Sequence, residues 1–235
     1  IFGRKIQDTM SEREEKIVET AKELLAQQFE KSSAETILAC EQKSRQMADG
    51  FLTAIGKVLA EGTEKAENAE GTDGTVEDQY LIFSCLHSSI FLKNYLVQIE
   101  LMGKEMYGEE PLASRCWDAG ELYRLFERDV EELKGQVRKR VPRIKEYETD
   151  YIRYAYAPFY HRLVKAFIEE MLGAALEGTE NAAGAERAEN ISTLHGGIQE
   201  SGKVKILFGE YMGEADLLFQ AERERLYEIF QDICG

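Results

Sequence analysis

Only three prolines occur in 235 residues, Pro111, Pro142 and Pro158. Proline removes a backbone donor and clashes with the preceding helical turn, so its scarcity permits long uninterrupted helices. The first 60 residues use that freedom. Ser11 followed by Glu14 forms a capping box, after which Ile17, Ala21, Leu24, Leu25 and Phe29 recur on one face. Ser32 with Glu35 offers a second capping box. Beyond it, Ile37, Cys40, Ser44, Met47, Phe51, Ile55 and Val58 follow steps of three and four, close to a coiled-coil seam. The expectation is a helical hairpin over residues 1–60 joined near Lys31–Ser33, with one long bent helix as the alternative.

Residues 61–75 (EGTEKAENAEGTDGT) carry three glycines and five acids with almost no apolar side chain, and read as an acidic flexible loop. A stretch of similar composition, 177–190, reads as a second one. Both contain EGTE, but the apolar patterns around the two copies do not align, which argues against an internal duplication. Residues 76–235 then form a helical domain with a small sheet. Val76–Leu92 reads as a buried helix, with Tyr80, Phe83, His87, Ile90 and Phe91 near helical spacing. At Tyr95–Met102 the period changes to two, which argues for a strand. Lys203–Tyr211 is a second strand candidate. Asp118 and Glu121 cap a helix reaching about Arg140, another runs from Arg143 to Leu176 with a kink at Pro158, and a last one from Gly213 to Ile233. The fold class is mainly α: a multi-helix bundle with a small antiparallel β element (95–102 and 203–211).

The chain is 43% hydrophobic and 31% charged, with 29 Lys and Arg against 44 Asp and Glu, for a net charge of −15. That balance excludes a disordered, collagenous or disulfide-stapled protein, and no apolar stretch is long enough for a membrane helix. It also argues against nucleic-acid binding, because phosphates are repelled at long range. Cys40, Cys85, Cys116 and Cys234 are scattered without a CxxC pair, as expected of reduced thiols in a cytoplasmic protein. The sequence begins at Ile1 instead of Met, the start expected of a chain trimmed of a leader. Asn190-Ile191-Ser192 fits a glycosylation sequon that matters only in a secreted protein.

Three groups of residues invite a chemical reading. On a helix over 143–176, Tyr147, Tyr151, Tyr154, His161 and Lys165 share a stripe with Pro158 and end in hydroxyl, imidazole and ammonium groups. They can line a pocket for a small anion or aromatic ligand, with His161 as acid or base and Lys165 balancing charge. The competing reading is tyrosines packed at the core edge with their hydroxyls satisfied. No nucleophile is identifiable, so the stripe fits binding better than catalysis, and enzyme activity stays an open question. Lys134, Arg138, Lys139, Arg140, Arg143 and Lys145 put six positive charges into twelve residues. Such a basic island can bind phosphate or an acidic partner, or it can pair internally with the acidic first helix and offset a helix C-terminus. Cys116, near a helix start, is the least implausible thiol nucleophile, with a structural role weighing more. No Glu-x-x-His pair, HExxH or glycine-rich phosphate loop is present, and His195 before Gly196-Gly197 reads as solvated; no metal or cofactor is expected. The leading expectation is a helical interaction or regulatory protein acting through protein–protein contacts, with a homodimer through the 37–58 seam as one form of them. The alternative is a small-molecule-binding protein or enzyme using the Tyr/His/Lys stripe.

Overall fold

The computed structural model describes residues 11–69, 78–186 and 202–234. His195, the sequon at 190–192 and the glycine pair at 196–197 lie outside them, as do 70–75 and 187–190 of the two expected loops. The first helix, α1, is Glu12–Ala69, about 87 Å long at 1.5 Å per residue. The expected hairpin is therefore a single helix. The serines and acids that read as a second start are used in tertiary contacts instead. Ser32 Oγ donates to Asp129 at 2.7 Å, and Glu35 accepts from Arg128 at 3.0 Å. Neither Gly nor Pro occurs between Ser11 and Asp49 to interrupt the backbone ladder.

The expected acidic loop is corrected in its first part, because α1 continues through 61–69. Gly62 belongs to the packing of that helix: a Cβ there would overlap the Leu101 side chain, so the glycine lets α1 lie close to the sheet. Likewise, the helix Asp150–Glu186 (α4) runs through 177–186, where the second loop was expected, and continues past Pro158.

The sheet is larger than a two-stranded element. Its five strands are β1 (Gln79–Cys85), β2 (Leu96–Met102), β3 (Ala113–Asp118), β4 (Lys203–Glu210) and β5 (Ala215–Glu222), in the order β3-β2-β1-β4-β5. Neighbours run antiparallel except β1 and β4, which are parallel. The two strands legible as strands, β2 and β4, do not pair with each other because β1 lies between them. β1 itself reads as helix in the sequence: YLIFSC is buried on both faces and lacks two-residue alternation, which a central strand does not need. The short helix α2 (His87–Leu92) follows it. The helix expected from Asp118 starts at Phe126 (α3, Phe126–Arg140), and the last helix is Arg223–Cys234 (α5), after β5 has taken 215–222.

Strand alternation sends Leu81, Phe83, Cys85, Val97, Ile99, Leu101, Val204, Ile206 and Phe208 into one core with the helices. Phe51 of α1 is fully buried where Phe83, Trp117 and Phe167 meet it at centroid distances of 5.5, 5.0 and 5.8 Å. Burying such a ring is worth about 1.5–3 kcal/mol before the aromatic contacts are added. Met47, Phe51, Ile55 and Val58 are all buried in this core, so the 47–58 part of the seam is used within the chain, while Ile37 and Ser44 are exposed.

Candidate functional site

The tyrosine stripe does not assemble as one pocket. Tyr147 is exposed in a 3-10 turn (Glu146–Thr149) that precedes α4, and the Lys145 ammonium lies 5.6 Å from its ring. Tyr151 donates its hydroxyl to Glu14 at 2.9 Å, and this bond raises its pKa. Lys165 pairs with Asp216 at 2.7 Å. Only Tyr154 and His161 come together with further chemistry.

Three of the six cations of the basic island are paired inside the chain. Lys134 reaches Glu131 at 3.2 Å and Glu146 at 3.6 Å, Arg138 reaches Glu146 at 2.5 Å, and Arg140 reaches Glu23 of α1 at 2.9 Å. The Arg143 carbonyl accepts from Arg13 at 2.7 Å, in a left-handed backbone conformation at φ 58°. The Lys145 backbone N–H donates to Glu148 at 2.6 Å, and Lys139 is exposed.

Two acidic centres escaped the sequence reading. Asp129 is fully buried between α1, α3 and α4. One of its oxygens accepts from Gln28 (3.0 Å) and Ser32 (2.7 Å), the other from the hydroxyls of Tyr156 and Tyr160 (both 2.8 Å). Four neutral donors bind the carboxylate, the Arg128 Nε lies 3.7 Å from one of its oxygens, and burial together with donation to a carboxylate raises the pKa of both tyrosines. Glu127, beside it, binds Arg153 through both guanidinium nitrogens, the Tyr95 hydroxyl and Lys93 (3.0 Å). Burial opposes ionisation there, yet these bonds hold Glu127 at about 2.

The other centre is at the carboxyl ends of β1 and β4. Because these strands are parallel and Cys85 is in register with Glu210, both chains leave the sheet at the same place. β1 departs through α2 toward β2, and β4 departs toward β5 on the opposite side. The two connections thus diverge from a single junction between the strand ends. Tyr211 N–H donates to the Cys85 carbonyl at 3.1 Å across it. Gly209 permits the sharp return of the chain, since a Cβ there would overlap the backbone of Glu214 and Ala215.

At this place Glu210 stands between two imidazoles. Its Oε2 is 3.7 Å from His87 Nε2 and its Oε1 is 3.7 Å from His161 Nδ1. Both separations exceed hydrogen-bond range. His87 is exposed and stacks on Tyr154, with centroids 5.3 Å apart. His161 is only 9% exposed, and its Nε2 is buried without a hydrogen-bond partner. Burial, reinforced by nearby His87, lowers its pKa to about 4, because the half-exposed carboxylate is too distant to hold a proton on the ring. Behind it, Cys85 is pushed up to about 12 by burial despite a hydrogen bond with Tyr123, so this thiol is not a nucleophile.

Cys116 lies exposed within β3 and not at a helix start, which removes the reason for singling it out. Among the described residues, no group of three or more His, Cys, Asp and Glu side chains is placed to hold a metal ion, and no helix is long and apolar enough to cross a membrane. No protein-family model, curated protein or solved structure matches this chain.

Proposed function

We propose that the protein is an interaction module that recognises a partner chain with the edge formed by α2 and the β4–β5 turn. One observation carries this reading. Of the nine large apolar side chains exposed among the described residues, four belong to these two adjoining segments: Phe91 (62%), Leu92 (64%), Tyr211 (49%) and Met212 (64%). Exposed apolar side chains are ordinary when scattered, but concentrated on two short segments that meet at His87 and Glu210 they favour an interaction surface.

The local backbone supports the same edge. Three of the five non-glycine residues with left-handed φ, Lys93, Tyr95 and Met212, flank it. Such conformations cost free energy and cluster where a surface has been shaped for binding. The amphipathic helix near the N-terminus, by contrast, spends most of its apolar face in the core, with Ile37 and Leu38 exposed, and three of the six cations of the basic island pair internally.

A photo-crosslinking benzophenone placed at position 91, at 212 and at the equally exposed Tyr147 tests the reading in the cells that make the protein. Adducts of one common mass at 91 and 212, absent at 147, are expected. Equal labelling at all three positions, or none at any, overturns it.

A further inference from the structure

We infer that the partner presents an arginine side chain between apolar residues, and that Glu210 is the group that receives it. This inference rests on the interaction reading above and adds the chemistry of the contact. Glu210 is a carboxylate whose two oxygens face imidazoles at 3.7 Å, neither close enough to be a hydrogen bond. Its acceptor positions are therefore open, and the two oxygens together match the paired donors of a guanidinium.

The cations of the neighbourhood are already committed elsewhere. Lys93 is paired with Glu127 at 3.0 Å, and Lys165 with Asp216 at 2.7 Å. Among the described residues, no ammonium or guanidinium lies within ion-pair distance of Glu210 or of Glu214 in the same turn. The turn GEYMGEAD thus combines surplus negative charge with the exposed Tyr211 and Met212. A net charge of −15 draws a cationic partner toward it at long range. The exposed ring of Tyr211, next to Glu210 in the chain, offers a face that also favours a guanidinium.

The test uses a short fluorescein-labelled peptide alternating leucine and arginine, and the same peptide with citrulline, which keeps the side-chain shape without the charge. Fluorescence anisotropy is read on the wild-type protein, on Glu210→Gln and on Phe91→Ser/Met212→Ser, with circular dichroism confirming that each is folded. The arginine peptide is expected to bind the wild type about tenfold more tightly than it binds Glu210→Gln, and the citrulline peptide to show no such difference. Equal affinity of the arginine peptide for wild type and Glu210→Gln overturns the inference, as does failure to bind at all. If the double serine variant loses the peptide while Glu210→Gln keeps it, the edge is an interface and only the arginine contact is wrong. If neither variant changes the affinity, both the contact and the interaction reading fall.

Discussion

Asp129 and Glu210 are both carboxylates set among aromatic side chains, but their surroundings differ. Asp129 is fully buried and accepts four hydrogen bonds from two helices, α1 and α4. Glu210 is half-exposed, and the nearest groups opposite it are two imidazoles beyond hydrogen-bond range. A buried charge persists only where its partners are complete, so completeness marks Asp129 as structural. At the strand ends, unfilled hydrogen-bonding capacity coincides with exposed apolar side chains and unusual backbone. Such an arrangement gives stability little and leaves room for a partner.

The sharpest way to break this contrast is Asp129→Ala. It strands Gln28, Ser32, Tyr156 and Tyr160 in the interior without their acceptor, and is expected to cost about 3–5 kcal/mol in urea denaturation. A loss below about 1 kcal/mol, the level of an ordinary surface change, would mean that Asp129 is not a structural hub.

Acid titration separates the two regions by a different route. His161 has its pKa lowered from 6.5 to about 4 by burial, so the unfolded chain takes up the proton first as pH falls. The stability held above pH 6.5 therefore declines between about pH 6.5 and pH 4, by about 3 kcal/mol in total for this group. The pH dependence of the unfolding free energy in His161→Leu is expected to be flatter over that window by this amount. Parallel curves for the two proteins would place the imidazole in water. Glu127 acts lower: its pKa is depressed to about 2, so its contribution is present above about pH 4.5 and is lost as pH falls toward 2.

Next in size is Gly209→Ala, in which a methyl group meets the backbone of the β4–β5 turn. A loss of about 1–3 kcal/mol is expected from the displaced return of the chain. Thermal unfolding at the wild-type midpoint would show that the turn gives way freely. The smallest effect belongs to Glu210→Gln, predicted to shift stability by less than about 0.5 kcal/mol because it breaks no hydrogen bond. A loss of several times that would make Glu210 a structural partner of the histidines and erase the contrast with Asp129.

Parts of this architecture are legible from residue patterns. The two-residue alternation of Tyr95–Met102 and Lys203–Tyr211 corresponds to β2 and β4, and the apolar stripe of the first 60 residues corresponds to the buried face of α1. β1 escaped because a strand covered on both faces carries no alternation. β3 and β5 escaped because they lie at the sheet edges, in stretches whose prolines, glycines and acids resemble turns and helix caps. Ser32 and Glu35 misled for a related reason: the residue types that cap a helix also serve as hydrogen-bond partners in its middle, and only Asp129 and Arg128 decide between the two uses.

The candidate edge was legible only in fragments. His161 and Tyr154 stood out as polar groups on an apolar helix, but their grouping with Tyr147, Tyr151 and Lys165 followed a helical stripe that the chain distributes among separate partners. His87 and Glu210 are 123 positions apart in sequence and meet because β1 and β4 are in parallel register. By itself, the sequence determined a mainly helical protein with strands, an acidic surface and the apolar face of its longest helix, since periodicity and composition are local properties. The tertiary structure decided that the first helix is unbroken, that five strands form one mixed sheet, and that a buried histidine and an exposed one share a carboxylate beside exposed apolar side chains. Those outcomes depend on which distant residues are brought into contact, and that is fixed by packing and strand register.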